Sequence, residues 1–575
     1  MNAICSLCSA PFEITQDDLA CYEKVSPVFA GKTFTIPPPT RCPDCRNRRR
    51  MSWRNDRYFY KRKCDLTGEN FLSIFPADSP YVVYKPSAWY SDKWDPMEYG
   101  RSFDFSCPFF EQLEELMRIV PQIGIDVINC ENSEYCNYCG DDKNCYLDIA
   151  GEGNEDCYFN LFIKHCTNCA DCTFCYHSTL CYECINCYNS YSCRFSQYLE
   201  NCNDCIGCFD CKGTKDCAFS VNLRGKQYQI FNVQYEKAEY ERRIQEMRLD
   251  TFSGWQSAGG QWQTFRIEKG IYRDMYTLNC QNCNGNDIQN SKNCSAAFNV
   301  LNCEDSSYLS DVLDARDCRD LNYSLYKPEC SYELCSTLAL TFSAFNMASH
   351  YSSNIFYCQK VNHCKNLFGC IGFALGQKQY CILNKQYTKA EYEDLVPKII
   401  EHMRNDGGGA MNRASGASSG SWGEFFPETI SQYAYNETVA QEYYPLSRDE
   451  VTSRGWKWRE QIDEMPKVER VIEASKLPET IADIPDDILN WAIRCEATNR
   501  PFKIIRQELE FYRNLQLPIP RVHPDERHRQ RMIRRNPRTL WDRVCTKCKK
   551  AIRTTYAPDR PEIVYCESCY LETVY

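Results

Sequence analysis

Eighteen cysteines lie between Cys130 and Cys217, and every one occupies the same position of a three-residue period. The run is Cys130, Cys136, Cys139, Cys145, Cys157, Cys166, Cys169, Cys172, Cys175, Cys181, Cys184, Cys187, Cys193, Cys202, Cys205, Cys208, Cys211, Cys217. Loose metal knuckles would scatter over all three positions. Ser133, Gly151, Asn154, Ser178, Ser190, Ser196 and Thr214 share the position, whereas Tyr135, Tyr146, Phe159, Phe174, Tyr182, Tyr191 and Phe209 stay out of it. A longer repeat lies on top. Cys130, Cys136, Cys139 and Cys145 recur 36 residues on as Cys166, Cys172, Cys175 and Cys181, then as Cys202, Cys208, Cys211 and Cys217. The half-period links Cys139, Cys157, Cys175, Cys193 and Cys211. A fixed period near 20 residues is the signature of stacked coils that bury their core only against neighbours. The expectation for residues 126–225 is therefore a β-solenoid of 18-residue coils with small thiols facing inward.

The pattern is duplicated. KQYQIFNVQYEKAEYERRIQEM from Lys226 parallels KQYCILNKQYTKAEYEDLVPKIIEHM from Lys378, so each solenoid should end in a strand and a capping helix that covers its open edge. Thr388 with Glu391 three residues on has capping-box spacing. The second solenoid, about 272–385, is more degenerate: Cys294, Cys303, Cys318 and Cys330 share one class, but Cys335 and Cys358 leave it.

Outside the solenoids, Cys5-x-x-Cys8 with Cys42-x-x-Cys45, and Cys545-x-x-Cys548 with Cys566-x-x-Cys569, each supply four soft ligands. Two close pairs brought together across a hairpin suit a tetrahedral Zn²⁺ site with no open position, so two structural zincs are expected. The two ends are related. CSLCSAPFEITQDDLACYEK at Cys5 matches CEATNRPFKIIRQELEFYRN at Cys495, and CPDCRNRRRMSWRNDRYFYKRKC matches HPDERHRQRMIRRNPRTLWDRVC without a gap. Each copy has room for two metal sites and has kept one. The lost sites read Cys64, Thr67, Lys85, Ala88 and Cys495, Thr498, His523, Glu526, the threonine making the latter a poor ligand set.

After Cys45 come Arg46, Arg48, Arg49, Arg50, Arg54 and Arg57, interleaved with Trp53, Tyr58 and Tyr60. The C-terminal copy carries Arg527, Arg529, Arg531, Arg534, Arg535 and Arg538. Arginines beside zinc ribbons suit phosphate, and aromatics can stack bases. The other reading is a solvated basic face, or arginines paired with the carboxylates of this chain, which has a formal net charge of −10.

No stretch approaches the roughly 18 apolar residues of a membrane span, and MNAICSLCSAPFEI lacks a signal-peptide pattern. A cytoplasmic chain is expected, in which 41 cysteines stay reduced. With seven histidines, no phosphate loop, no dinucleotide fingerprint and no nucleophile elbow, nothing here points to an enzyme. CTNCADCTFC and CNDCIGCFDC resemble iron–sulfur runs, but lack the three-residue last gap and Cys-Pro, so packed free thiols are expected ahead of extra zinc in the solenoid or a cluster.

The segments CPDCRNRRRMSWRNDRYFYKRKCDLTG, SDKWDPMEYGRSFDFSCPFFEQL, KQYCILNKQYTKAEYE, GEFFPETISQYAYNETVAQEYYPL and YAPDRPEIVYCESCY together resemble an uncharacterised cysteine-rich zinc-ribbon family of candidate-phylum (Patescibacteria-type) bacteria. The resemblance spans nearly the whole chain. Family members sometimes carry a CaiB/BaiF label, a CoA-transferase name, which no residue here supports. The family pattern has Cys-Pro-x-Cys-Arg in both modules, so His523 and Glu526 depart from it, as does the Gly/Ser insertion around Gly407. The resemblance implies no activity.

The expected order is a zinc-ribbon module with its Arg cluster (1–105), the first solenoid and capping helix (106–250), the second (251–405), a Gly/Ser linker (406–422), a connecting segment (423–490) and the C-terminal zinc module (491–575). The expected fold is mainly β, a duplicated Cys-rich solenoid flanked by related zinc ribbons. The expected function is a non-enzymatic zinc-binding scaffold that engages RNA, DNA or a ribonucleoprotein through its arginine faces, without a membrane partner. The alternatives are an iron–sulfur or metal-handling redox protein and a self-assembling structural subunit. The oligomeric state is left open.

Overall fold

The structure is a computed structural model that describes residues 1–407, 420–460 and 466–575. The Gly/Ser linker expected at 406–422 falls mostly outside the described residues. The chain forms two compact units, each assembled from distant segments. One comprises Met1–Ile125, Met275–Arg459 and Arg538–Leu540; the other comprises Asp126–Asp274, Glu460–Pro537 and Trp541–Tyr575. The units therefore differ from the sequence-ordered domains. Each combines one cysteine-rich ladder with one terminal module, the N-terminal module with the second ladder and the C-terminal module with the first. Strand makes up about 29% and helix about 25% of the chain, so helix holds a larger share than a mainly β reading implies.

The three-residue period of the first ladder is a backbone unit. From Asn129 to Phe195 every third residue has positive φ, and the residue preceding each left-handed position is bridged in parallel to the residue twelve further on. Glu131 pairs with Lys143, Lys143 with Glu155 and Glu155 with Thr167. This corrects the 18-residue coil, because the pairing advances by twelve residues. The 36-residue repeat is three such advances, but 18 residues is one and a half, so Cys139 and Cys157 do not occupy equivalent places. Four left-handed residues fall within each advance of twelve.

The third residue of each triplet is the buried cysteine class, and its chemistry follows from the backbone. The bridged N–H donates to the carbonyl eleven residues on, as Tyr158 does to Cys169 (2.9 Å), and the left-handed N–H donates back thirteen, as Asp171 does to Tyr158 (3.0 Å). The buried residue's N–H is left over, and a buried amide needs an acceptor. Along the ladder that acceptor is often the small polar side chain twelve residues earlier. Cys166 N–H donates to Asn154 Oδ1 (3.0 Å), Cys172 to Asn160 Oδ1 (2.8 Å), Cys208 to Ser196 Oγ (3.0 Å) and Gly151 to Cys139 Sγ (3.3 Å). The thiols in turn donate to backbone: Cys166 Sγ lies 3.5 Å from the Lys164 carbonyl and 3.4 Å from that of Cys175. A cysteine is small, apolar enough to pack and still a weak donor and acceptor. That combination fills this position.

The second ladder is an eleven-stranded sheet whose strands follow in sequence order, from Thr277–Leu278 to Lys385–Gln386, all parallel except the last pair. Its degeneracy is a matter of phase. Twelve-residue steps dominate, as in Ser295 to Ser307 and Ser307 to Arg319. The steps from Thr277 to Ile288, from Arg319 to Tyr332 and from Lys365 to Gln379 are eleven, thirteen and fourteen residues. Each irregular step moves the buried class by the difference. Cys294, Cys303, Cys318 and Leu321 belong to the core cluster before the thirteen-residue step; Leu334, Cys358, Cys364, Cys370 and Phe373 belong to the same cluster after it. The extra residue is taken up where Tyr326 and Lys327 are both left-handed (φ 59° and 63°). Cys358 thus belongs to the core line from which its number excluded it. Cys330, which shared the class by number, packs in a different cluster with Cys335.

Both ladders end in an antiparallel strand and a helix, Lys237–Glu246 after Val233–Gln234 and Lys389–Asn405 after Lys385–Gln386. Thr388 caps the latter, its hydroxyl accepting the Glu391 N–H while the Glu391 carboxylate accepts that of Thr388. A further helix, Phe252–Lys269, belongs with the first ladder, where Trp255 meets Phe195 at 4.1 Å between ring centroids. The boundary expected at residue 250 consequently falls near 274.

Candidate metal centres

Each terminal module builds its four-cysteine group from one hairpin and one helix start. In the N-terminal module the strands Asn2–Ile4 and Pro11–Glu13 pair antiparallel and the turn between them carries Cys5 and Cys8. Cys5 N–H donates to the Ala10 carbonyl (2.9 Å), and Ser9 takes the left-handed turn position. Cys42 is the N-cap of the helix Pro43–Met51, whose first turn carries Cys45. The four sulfurs lie within 4.8 Å of one another, with Cys8 and Cys42 3.7 Å apart. The C-terminal group repeats every part. The turn between the strands Trp541–Val544 and Ala551–Thr554 carries Cys545 and Cys548, Lys549 is the left-handed residue, and Cys566 is the N-cap of the helix Glu567–Val574. Its sulfurs also lie within 4.8 Å, with Cys548 and Cys566 3.7 Å apart.

Four thiolates around Zn²⁺ at roughly 2.3 Å stand about 3.8 Å from each other, so both groups fit the ion. A hydrogen bond from Cys45 brings the Cys42 thiol down to about 5 against its burial. At Cys545 burial opposes ionisation, but N–H groups including those of Cys548 and Cys566 bring it down to about 6. All four donors come from protein in each case. Such a site organises a fold and leaves no position for substrate.

The lost sites have a shared geometry. Burial would raise the Cys64 thiol, yet the Thr67 hydroxyl and the Lys85 backbone N–H lower it; Thr498 and the His523 backbone do the same at Cys495. Hydrogen bonds from the former ligand positions thus hold the surviving sulfur. His523 Nδ1 accepts the Asp525 N–H, and Glu526 is paired with Arg529 at 2.7 Å.

The arginines are the main correction. Arg46, Arg49, Arg50, Arg54, Arg527, Arg531 and Arg538 are buried and paired inside the protein, which removes them from any exposed basic face. Arg46 holds Asp320 at 2.8 Å, and Arg50 reaches Asp320 (3.1 Å) and Glu333 (3.4 Å). Arg49 bridges Glu333 and Glu424, and Arg54 holds Asp56. In the other unit Arg527 holds Asp171 (2.7 Å) and Arg531 reaches Asp171 (2.6 Å) and Glu183 (3.2 Å). The match is residue for residue. Arg46 aligns with Arg527 and Arg50 with Arg531, while Glu183 follows Asp171 by twelve residues and Glu333 follows Asp320 by thirteen, across the irregular step. Among the rest, Arg538 pairs with Asp311 and Arg534 with Glu183, Arg535 lies over the Phe174 ring, Arg48 lies over Trp456, and Arg57 is half-buried. Arg529 is exposed and engages Glu526. The alternative of pairing with the chain's own carboxylates describes these residues.

A third group, Asp142, Cys145 and Asp148, also lies within 4.8 Å. Both aspartates stand in the buried three-residue class, among the cysteines.

The fold and these sites define a class: a duplicated, parallel-laddered chain in which each ladder is joined to a tetracysteine module. No protein-family model and no curated protein gives a significant match to the chain. No helix among the described residues is long and apolar enough to cross a membrane.

Burial also sets thiol reactivity, since the thiolate is the nucleophile. Cys175, Cys184 and Cys208 are fully buried and pushed well above the usual thiol range, first by desolvation. Cys107, Cys130, Cys280 and Cys283 are partly exposed. Alkylation of the native, reduced protein mapped by mass spectrometry should label these four at least tenfold faster than the ladder core. Equal rates would refute the packed-thiol assignment.

Proposed function

We propose that this protein is a non-catalytic scaffold in which two β-solenoids of twelve-residue coils are each clamped by a zinc-bound module, and that it belongs to the cysteine-rich zinc-ribbon family its segments resemble. The observation that carries this reading is the duplicated arginine clamp, Arg46 and Arg50 on Asp320 and Arg527 and Arg531 on Asp171. Both copies kept these arginines although each lost a metal site. That is understandable if their work is to fasten a module to a ladder. The solenoid name rests on four left-handed residues per twelve-residue advance and on the unbroken parallel pairing. Ladder thiols occupied with backbone hydrogen bonds favour packing over an iron–sulfur or metal-storage role.

Engagement of RNA or DNA through the arginine faces has lost most of its candidates to the interior. The test is fluorescence anisotropy of a labelled single-stranded RNA with the full chain at low and high salt. Weak binding, unchanged by Arg48→Ala with Arg529→Ala, is the expected result. Tight, steeply salt-dependent binding that these substitutions abolish would restore the nucleic-acid reading.

A further inference from the structure

We infer that the first ladder holds a third metal site, formed inside it by Asp142, Cys145 and Asp148 and suited to a thiophilic divalent cation such as Zn²⁺. The three residues occupy successive places of the buried class, and one donor atom from each lies within 4.8 Å of the others. Asp148 is fully buried and Asp142 is 1% exposed. Each carboxylate has one oxygen in use: Asp142 Oδ1 accepts the Asn154 N–H (2.9 Å) and Asp148 Oδ2 accepts Asn154 Nδ2 (3.0 Å). The other two, Asp142 Oδ2 and Asp148 Oδ1, are buried with no hydrogen-bond partner among the described residues. Two ionised carboxylates a few ångströms apart in an apolar stack, with no basic side chain paired to either, cost several kcal/mol, so each must hold a proton or share a cation.

A second observation concerns space. The next place in the class is Gly151, and its backbone does not call for glycine, since φ there is not positive. A Cβ at Gly151 would stand 2.6 Å from Asp148 Oδ2, 2.7 Å from Asp142 Oδ2 and 2.8 Å from Asn154 Nδ2. Every neighbouring place carries a side chain, and at this one the space is taken by the two carboxylates and the Asn154 amide, which a side chain would push apart. One sulfur and two carboxylate oxygens are donors Zn²⁺ accepts, whereas Mg²⁺ and Ca²⁺ prefer oxygen alone. Loading would release to solvent the Cys145 thiol proton, which in the empty ladder is shared with the Lys143 and Asn154 carbonyls (3.4 and 3.6 Å), together with the proton that burial favours on Asp148, and involves no electron transfer.

The test is zinc stoichiometry of the metal-stripped, reduced full-length chain, titrated with Zn²⁺ against a competing chromophoric chelator. The wild type should bind one equivalent more than Asp142→Asn/Asp148→Asn, which keeps the shapes and hydrogen bonds to Asn154. Gly151→Ala should lose the same equivalent. Equal stoichiometry in wild type and double variant overturns the site. Should the double variant fail to fold, Cys42→Ser/Cys45→Ser/Cys545→Ser/Cys548→Ser, which leaves only two thiols in each terminal group, must still bind one equivalent; none bound overturns the site equally.

Discussion

Asp320→Asn should destabilise its unit by about 3–5 kcal/mol, and Asp171→Asn should do the same in the other, the range typical of breaking a buried ion pair from one side. Each aspartate is fully buried and faces two buried arginines, Arg46 with Arg50 and Arg527 with Arg531. Removing the Asp320 charge leaves Arg46 without a carboxylate and Arg50 with Glu333 alone, and removing that of Asp171 leaves Arg527 with Glu508 and Arg531 with Glu183; none of these guanidiniums can return to water without lifting the helix that carries it. Arg46 and Arg50 lie on Pro43–Met51, and Arg527 and Arg531 on Pro524–Arg534. The control is Arg529→Ala. Its side chain is 61% exposed, and although its partner Glu526 is only 7% exposed, that carboxylate keeps the Gln530 amide as a donor (2.9 Å), so the loss should be about 1 kcal/mol. Denaturant midpoints, followed by hydrogen exchange so that each unit is read separately, give the comparison. Midpoints for Asp320→Asn and Arg529→Ala that fall together would refute the clamp.

The second large effect is metal removal. Chelation under reducing conditions, or Cys42→Ser with Cys45→Ser, should abolish amide protection in the helix Pro43–Met51 while leaving the first ladder protected. Structural zinc contributes about 10–16 kcal/mol to isolated zinc-finger folding at neutral pH, though strongly pH-dependent. Here part of that is replaced by packing, because the same helix carries the buried Arg46, Arg49 and Arg50. Cys566→Ser should act on the other module alone, exposing the hairpin Trp541–Val544/Ala551–Thr554 and the helix Glu567–Val574. The effect should be local. Protection at residues 43–51 that survives both chelation and substitution would show that the sulfurs do not hold the module together.

The two tetracysteine groups were legible because a Cys-x-x-Cys pair is a local object. A tight turn or a helix start places its two sulfurs together whatever the rest of the chain does, and only the union of two pairs needs tertiary contact. The capping box at Thr388 and Glu391 was legible for the same reason. The arginines were not. A cluster such as RNRRR reads identically whether it meets phosphate or carboxylate, and its partners Asp320 and Glu333 lie more than 270 residues away. The duplicated spacing was the available clue. Asp142 and Asp148 could have been found by asking which members of the buried class carry charge, a question the abundance of cysteine obscured.

The three-residue period was determined by sequence alone, because each triplet is one backbone cycle with a left-handed turn and one buried side chain, and burial selects small residues at that place. The number of triplets per advance was not. It depends on how the turns add up before the chain meets itself, and a repeat of 36 residues is compatible with advances of 12 or 18. Only the hydrogen bonds that bridge residues twelve apart decide it, such as those from Tyr158 to Cys169 and from Asp171 to Tyr158, which pair Tyr158 with Ala170. The eleven-, thirteen- and fourteen-residue steps of the second ladder belong to the same category. A single added residue shifts every later side chain by one place, so the buried line of Cys318 and Cys358 becomes continuous only when the pairing itself is seen.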